Sequence, residues 1–598
     1  MLGTISKILD LLDRRGRQQA LLLLAMILVT AAIETAGVAS IVPFVAVLAD
    51  PNLVTTNSYL NAAYHGLGFT SIHSFFIFLG LVVFVVTVGS TALKAASSWA
   101  LLRFTGMRYH ALSCQLFQGY LYQPYAWFLR RHSTDLAKTM LSEVGEVING
   151  ALIPGMQLIA HGTVAILLIS LLLVADPVMA IAVSSILASA YWLIFWTSRK
   201  YVKRIGKDRV LANRERFRLS NESLSGIKDV KVAGLEDVFL RRFEKTSLRF
   251  VRHQAAAQLI SQLPQYALQA IAFGGILLIV QYQLILHDSL SRALPLIALY
   301  ALAGYRLLPA LQQVYQQMSK LRFAMPALDV LHRDLVENAM GRGSRLQTDA
   351  SPQLLEQVEL RDVVYLYPGS SAAALDHVNI LIRARTTVGL VGQTGSGKTT
   401  AVDVILGLLE PSAGSVLIDG VKISTETQRN WRRCAGYVPQ HIFLADDTVA
   451  ANIAFGVEPN KIDMAAVKRA GKIAKLHDFV SNELELGYQT PIGERGIRLS
   501  GGQRQRVGVA RALYHNPDIL IMDEATSALD NVTERAVMDA VENLEHQKTI
   551  ILIAHRLSTV RRCETIFLLE RGRVVASGTY DQLLQRSEHF QSLVASGL

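Results

Sequence analysis

Cysteine is scarce in this sequence of 598 residues. The three cysteines, Cys114, Cys434 and Cys563, lie far apart, and none has a partner at metal-site spacing. No disulfide framework or zinc site is therefore predicted, and the thiols fit a reducing compartment. A cleavable signal peptide is the alternative for the N-terminus, but we expect none, because the first apolar run is too long and contains Glu34.

Charged residues are sparse in several long stretches before residue 320. A helix that crosses a bilayer needs about 20 mostly apolar residues. Six stretches qualify, near residues 19–48, 73–101, 150–175, 177–198, 258–285 and 290–314. The sequence therefore predicts a transmembrane domain of six helices over residues 1–320, with the intervening basic loops continuing those helices into the cytosol.

Basic residues indicate how these helices are oriented. The loop at 199–257 has 16 Lys and Arg against 7 Asp and Glu, whereas residues 49–72 contain neither Lys nor Arg. Positive loops stay in the cytoplasm, so both termini are predicted to be cytoplasmic. The net charge of +11 is then a topology signal, and we expect no nucleic-acid partner.

The chain changes character after a charged connector, predicted as a linker over residues 321–350. From residue 351 to 598, short β-branched runs alternate with helical patterns, which is typical of an α/β nucleotide-binding domain. Within it, GQTGSGKT follows an apolar run and precedes a helical pattern, as a phosphate loop requires. The predicted nucleotide-binding residues here are Gly392, Gln393, Thr394, Gly395, Ser396, Gly397, Lys398, Thr399 and Thr400.

Two carboxylates, Asp523 and Glu524, end a second apolar run that begins at Ile519. Asp523 suits a Mg²⁺ shell together with the Thr399 hydroxyl, and Glu524 suits the base that polarises the attacking water. Helix capping is the structural alternative for these two acids. The phosphate loop upstream favours the catalytic interpretation.

A second predicted anion site opens a later helix. It consists of Ser500, Gly501, Gly502 and Gln503. Glycines and a hydroxyl at a helix N-terminus favour anions, but one ATP cannot easily use both sites of one subunit. The sequence therefore predicts a head-to-tail homodimer in which each ATP lies between Lys398 of one subunit and Ser500 of the other.

These motifs resemble those of ATP-binding cassette (ABC) transporters, and six segments before one cassette resemble an exporter-type half-transporter. The resemblance implies an α-helical membrane domain followed by an α/β P-loop NTPase in a domain-swapped exporter dimer. It also implies that Tyr367 stacks on adenine, Gln440 senses Mg²⁺ and water, and His555 contacts the γ-phosphate. Catalytic roles then fall to Glu524, His555 and Gln440, and ATP and Mg²⁺ are the expected cofactors.

The cargo is less clearly indicated than the ATPase. Stretches such as Tyr120–Phe128 and Tyr300–Pro309 are similar to those of bacterial flippases of lipid-linked oligosaccharides. This similarity implies a polyprenyl-pyrophosphate-linked oligosaccharide, used in protein glycosylation, and an inner-membrane location. In those relatives a short external helix contacts the polyprenyl chain, and residues 56–68 are the candidate here. A lipid A or multidrug exporter is the alternative, and an ATP-gated channel or an importer of the same fold remains open.

Charged residues inside membrane segments are costly and tend to face a cavity. We expect Arg306, with Lys94 and Arg103, to bind a pyrophosphate headgroup, and Glu34 to belong to the same substrate site. A structural ion pair, or snorkelling of the long side chains, is the alternative for each.

Overall fold

The computed structural model divides the chain into two compact units. The first contains Met1–Gln123 and Arg131–Arg342, and the second contains Pro124–Arg130 and Gly343–Leu598. The residues described are 2–49, 51–175, 177–286, 290–340, 354–424, 426–524, 531–542, 544, 547–554 and 557–595. Each unit is described by itself below.

The first unit is helical throughout its described secondary structure. Its helices are α1 (Leu2–Asp10), α2 (Arg14–Ala49), α3 (Leu53–Thr56), α4 (Ser58–Gly66), α5 (Ile72–Leu121), α7 (Ser133–Lys138), α8 (Val144–Val147), α9 (Ile153–Ala175), α10 (Pro177–Ser225), α11 (Ile227–Ala233), α12 (Glu236–Leu286) and α13 (Leu290–Met340), and α6 (Tyr125–Phe128) belongs to the second unit.

Six of these helices cover the six predicted membrane segments: α2, α5, α9, α10, α12 and α13. Among the described residues, three stretches are long and apolar enough to span a membrane, namely Arg14–Val45, Ile72–Leu121 and Ser133–Val174. Helix α13 continues through residues 321–340 of the predicted linker. It does so because that stretch keeps a buried apolar face, with Leu328 and Leu331 almost fully buried.

A buried charged network joins α10 to the chain before α9. The helical stretch between α7 and α9 contains two π-helical turns, Thr139–Glu143 and Ile148–Leu152. The Arg209 guanidinium donates to Glu143 at 3.0 Å, and Asn213 donates to the other Glu143 oxygen at 3.0 Å. Glu143 and Arg209 are both almost fully buried. Paired and hydrogen-bonded in this way, the two charges escape the cost of an isolated buried ion.

The second unit contains two sheets. Its strands are β1 (Gln357–Leu366), β2 (Ala373–Arg383), β3 (Thr387–Val391), β4 (Ala413–Ile418), β5 (Val421–Lys422), β6 (Ala435–Val438), β7 (Ile519–Asp523), β8 (Thr549–Ile553), β9 (Thr565–Glu570) and β10 (Arg573–Gly578). One sheet is antiparallel, in the order β2-β1-β4-β5. The other has the order β10-β9-β3-β8-β7-β6 and is parallel except for the edge strand β10.

Helices pack around these sheets. They are α14 (Lys398–Ile405), α15 (Gln428–Arg433), α16 (Val449–Ile453), α17 (Met464–Ile473), α18 (His477–Asn482), α19 (Gly501–Tyr514), α20 (Asn531–Glu542), α21 (Leu557–Val560), α22 (Tyr580–Arg586) and α23 (Glu588–Ala595). Trp431 on α15 is buried, and its indole N–H donates to the Ile405 carbonyl at 2.7 Å. This contact satisfies one of the free carbonyls at the end of α14 and fixes the helix that follows the phosphate loop.

Candidate nucleotide site

The phosphate loop joins the buried strand β3 to α14, as the motif requires. Gly392, Gly395 and Gly397 have φ values of 154°, 82° and 103°, which favour glycine. A Cβ atom at Gly392 would lie 2.1 Å from the Leu569 carbonyl oxygen, and one at Gly397 would lie 2.7 Å from that of Ala374. Only glycine therefore fits at these two positions, so the backbone can close around a phosphate group.

Lys398 lies within this loop. Its ammonium donates to the carbonyls of Gly392 at 2.7 Å and Gln393 at 2.9 Å. Burial lowers the pKa of the ammonium, and the nearby Glu524 and Asp523 oppose that shift. A buried ammonium beside the backbone N–H groups of a glycine-rich loop can bind the phosphate groups of a nucleotide.

The Ser396 hydroxyl supports the same assignment. Its oxygen is buried and has no hydrogen-bond partner among the described residues. A buried polar atom of this kind calls for a ligand or a water molecule. The loop therefore fits the triphosphate of ATP.

The two carboxylates after the strand β7 have different environments. Asp523 is buried, and the Tyr437 hydroxyl donates to it at 3.4 Å. Glu524 has φ of 49°, an uncommon value for a residue with a side chain, and accepts from the Gln440 amide at 2.7 Å. The structure thus places together Gln440 and Glu524, two of the three predicted catalytic residues.

Oxygen donors suitable for Mg²⁺ occur on the same elements. Asp523 ends β7, and Thr399 lies in the first turn of α14 with its side chain exposed. A carboxylate, a hydroxyl and the Gln440 amide oxygen are the hard ligands that Mg²⁺ prefers. These three residues fit the ion. When bound to ATP, Mg²⁺ would supply charge neutralisation of the phosphates.

Tyr367, the predicted adenine-stacking residue, follows β1. Its hydroxyl lies 3.1 Å from the Thr400 hydroxyl, and its ring packs edge-on against Tyr365 at 5.1 Å between ring centroids. The aromatic side chain is therefore held next to α14, near the end of the phosphate loop.

The predicted second anion site opens α19. Ser500 accepts from the Gln503 backbone N–H at 3.2 Å, and the Gln503 side chain accepts from the Ser500 N–H at 2.7 Å. This capping box fixes where the helix begins, and Gly501 and Gly502 form its first turn. The N-terminus of a helix of 14 residues favours an anion at this place.

Some predicted positions lie outside the part of the chain that the structure describes. His555, the expected γ-phosphate contact, is one of them. Conversely, sequence patterns gave no reason to single out Asp403, which lies on α14. Burial, and then Asp523, raise the pKa of its carboxyl from its usual 3.8 to about 6. Asp403 follows Lys398 on the same helix, but only the fold buries its carboxyl and brings Asp523 near it.

The predicted substrate residues of the first unit fall into separate places. Lys94 donates to Glu34 at 3.2 Å. This contact is the ion pair that was the structural alternative for these two residues. Arg103 is exposed, and its guanidinium lies 5.3 Å from the Trp99 ring centroid. Arg306 lies in α13, and its side chain is outside the described residues.

A cavity of about 100 Å³ lies beside the Glu34–Lys94 pair, between α2, α5 and α9. Polar side chains from all three helices line it. They are Thr30, Glu34, Lys94, Ser97, Ser98, Gln157 and His161. Thr30 and Ser97 hydrogen-bond to each other at 2.8 Å. Charged and polar side chains within membrane helices are costly and tend to mark functional sites, so this cavity is a candidate substrate site.

Comparison with known proteins identifies the family. The profile of the ABC transporter transmembrane region matches residues 8–317, and that of the ABC transporter matches residues 375–527. The ATP-dependent lipid A-core flippase of Saccharophagus degradans is 32% identical over 81% of this chain and 80% of its own length. The flippase of the same name from Cupriavidus metallidurans is 30% identical over 86% of each chain.

A solved structure has the same fold. It is a bacterial Atm1-family ABC exporter with ATP bound, with a TM-score of 0.78 and 22% identity over 98% of this chain and 99% of that one. The helical domain followed by a cassette is thereby confirmed. The chain is a member of the ABC transporter family, an exporter-type half-transporter whose cassette couples ATP hydrolysis to transport across a membrane.

Proposed function

We propose that this transporter is a flippase for a lipid with a phosphorylated saccharide headgroup of the lipid A-core class. The observation that carries the proposal is the similarity to proteins named lipid A-core flippases, which extends over four-fifths or more of each chain. This similarity favours lipid A, the alternative cargo, over a polyprenyl-pyrophosphate-linked oligosaccharide. We place the protein in a bacterial inner membrane with both termini in the cytoplasm, in keeping with the basic loop at 199–257.

The proposed mechanism uses two copies of the chain. ATP on the phosphate loop of one copy would be closed over by the α19 N-terminus of the other, since each copy has one of each site. Two ATP molecules buried between cassettes favour the closed state over the open one by their differential affinity. Glu524, held by Gln440, would orient and deprotonate the attacking water, and loss of the γ-phosphate would release the closed state.

The cavity beside Glu34 and Lys94 is the proposed place for part of the headgroup. Its amide, imidazole and hydroxyl groups can donate and accept hydrogen bonds, as the hydroxyls of a saccharide require. The Glu34–Lys94 pair leaves the site close to neutral. Arg103 and Arg306 remain the proposed contacts for the phosphate groups, to which guanidinium binds well.

One observation favours the polyprenyl cargo as a second candidate. Residues 56–68 were expected to form a short external helix, and α4 (Ser58–Gly66) lies there, capped by the Asn57 side chain. Tyr59 on this helix is 88% exposed. An exposed aromatic side chain on an external helix suits contact with an isoprenoid chain.

The cargo can be tested by ATPase stimulation of the protein in lipid nanodiscs. The proposal predicts at least a two-fold rise in the ATP hydrolysis rate with a lipid A-core preparation, and no rise with a matched bilayer phospholipid. A rise only with a polyprenyl-pyrophosphate oligosaccharide would replace the proposed cargo with the second candidate. Equal responses to unrelated drugs would contradict both.

The role of the cavity is tested by removing both charges together. The double variant Glu34→Gln with Lys94→Gln leaves no unpaired buried charge, so it avoids the cost of breaking one partner alone. If the cavity receives the headgroup, the variant keeps its basal ATPase rate but needs several-fold more lipid for half-maximal stimulation. An unchanged lipid response would assign the pair a purely structural role.

A further inference from the structure

Asp334, on α13, contacts residues at both ends of a short segment of the chain. The Tyr120 hydroxyl donates to one carboxylate oxygen at 3.1 Å, and the Arg131 guanidinium donates to the other at 3.4 Å. Asp334 and Tyr120 are 7% and 5% exposed. Eleven positions separate the two partners along the chain, yet one buried carboxylate holds both.

The segment between these partners belongs to the other unit. Pro124–Arg130 is part of the second unit, whereas Tyr120, Arg131 and Asp334 belong to the first. Within the second unit, Ala126 on α6 packs against the apolar core that contains Val388 and Leu390 of β3. The strand that carries the phosphate loop and the segment held by Asp334 therefore share one core.

Tyr125 gives a second link to the nucleotide-binding elements. Burial raises the pKa of its hydroxyl, and the nearby Asp403 and Tyr367 add to the rise. Asp403 lies on α14 and Tyr367 is the proposed adenine contact. The packing of Ala126 against the core that contains β3 remains the contact that joins α6 to the nucleotide-binding elements.

The segment itself is too short to be stiff. Helix α6 has four residues and no side-chain cap, and an isolated helix of this length is not stable in water. A displacement of α6 would be lost in bending of its flanks unless those flanks were fixed. The Asp334 contacts fix them, because breaking one partner of a buried, hydrogen-bonded carboxylate is costly.

We propose that Asp334 is the positioning residue that makes movement of the Pro124–Arg130 segment move α5 and α13, so that ATP-driven change in the cassette reaches the membrane helices. It acts through Tyr120 and Arg131 and touches neither nucleotide nor cargo. The proposal requires that ATP binding drives the membrane domain, but it does not depend on the identity of the cargo.

The test compares Asp334→Asn with Asp329→Asn in the full-length protein. The first variant keeps the shape of the side chain and an acceptor for Tyr120 but loses the charge that holds Arg131. The second removes a more exposed carboxylate of the same helix, which pairs with Lys7 at 2.6 Å. Hydrogen–deuterium exchange is measured with and without ATP plus vanadate, so no cargo is needed.

In the parent and in Asp329→Asn, we expect ATP plus vanadate to change exchange in the cassette and in α5 and α13. In Asp334→Asn the change in the cassette should persist, the change in α5 and α13 should fall at least three-fold, and basal ATPase should stay within two-fold. Asp334→Glu should restore part of the change. If Asp334 had only a structural role, Asp334→Asn would lower thermal stability but would not separate the exchange change in the cassette from that in α5 and α13.

Two outcomes would overturn the proposal. One is an ATP-dependent change in α5 and α13 of Asp334→Asn that equals the parent's. The other is an ATP-dependent change in the parent that never reaches these helices. If Asp334→Asn does not fold, Arg131→Gln removes the more exposed of the two contacts. This variant should keep the exchange change in the cassette and show a smaller loss of the change in α5 and α13. Failure of the lipid assays with success here would overturn the cargo alone.

Discussion

Single residues of the cassette differ in how their charge affects stability. Asp403 is partly buried, with a carboxyl pKa raised to about 6. The folded protein therefore binds this proton more tightly than the unfolded chain does between pH 3.8 and about 6. By linkage, the charged carboxylate destabilises the fold at neutral pH, and its contribution worsens as pH rises from about 4 to about 6.

Asp403→Asn should therefore stabilise the cassette at neutral pH. The whole shift corresponds to about 3 kcal/mol at about 1.4 kcal/mol for each pH unit, and solvent screening of this partly exposed group makes the expected effect smaller. We expect a higher midpoint of thermal unfolding than that of the parent at pH 7.5, with a smaller difference at pH 5. A difference that is constant with pH would show that the charge of Asp403 is not the cause.

Asp419 is the matched control, because the pKa of its carboxyl is lowered where that of Asp403 is raised. Burial alone would raise the pKa of its carboxyl, but the backbone N–H groups of Leu355, Gln357 and Glu356 outweigh burial and lower it. Its stabilising contribution is present above the unfolded pKa and is lost as pH falls through the folded one. Asp419→Asn should thus destabilise the cassette at pH 7.5, and less so near pH 3.

The residues that the sequence revealed are those whose chemistry is carried by a local motif. Lys398 and the loop glycines are adjacent in the chain, so their joint purpose is visible without a structure. Asp403 and Asp334 have partners that are distant in sequence, and no local pattern marks them. Their roles depend on burial and on contacts that only the fold creates.

At the scale of elements, α10 and α13 are packed closely enough to exclude a single methyl group. A Cβ atom at Gly206 on α10 would lie 2.4 Å from the Phe323 carbonyl oxygen on α13. That oxygen belongs to a helical backbone and cannot turn away as a flexible side chain can. The glycine therefore sets how near the two helices lie.

Gly206→Ala should destabilise the first unit by about 1–3 kcal/mol, as overpacking does. The midpoint of thermal unfolding in detergent should fall. Gly155→Ala on α9 is the control, because a Cβ atom there would meet nothing within 4 Å, and alanine favours a helix by about 0.5–1 kcal/mol. Equal midpoints for the two variants would contradict the packing argument.

Hydropathy located the membrane segments but not the full helices. The apolar run predicted near 177–198 is the start of α10, which continues to Ser225. Its second half is basic, so hydropathy alone ends the segment early, although the helical pattern of the loop indicated that it continues. The π-helical turns before α9 have no signal in the sequence. The first of them contains Glu143, whose partners Arg209 and Asn213 are distant in sequence.

At the scale of the whole molecule, the sequence was sufficient to identify the ATPase domain but not to identify the transported cargo. Cassette motifs have fixed spacing because ATP has a fixed shape. A lipid headgroup can be bound by polar groups scattered over several helices, and the polar residues beside Glu34 and Lys94 come from three helices. The similarity to lipid A-core flippases, which extends over most of the chain, is what favours the proposed cargo.

Transbilayer movement of a lipid in proteoliposomes tests the central claim most directly. The measured quantity is the ATP-dependent fraction of a fluorescent lipid A-core analogue that changes leaflet. Glu524→Gln is the inactive control, because loss of a general base slows the reaction by about 10²–10⁴. Glu485→Gln is the matched variant at an exposed carboxylate.

We predict that the parent and Glu485→Gln move the lipid A-core analogue and that Glu524→Gln does not. The fluorescent polyprenyl-pyrophosphate oligosaccharide, tested in the same vesicles, should remain in its leaflet. ATP hydrolysis by the parent without movement of the lipid A-core analogue would contradict the proposed function.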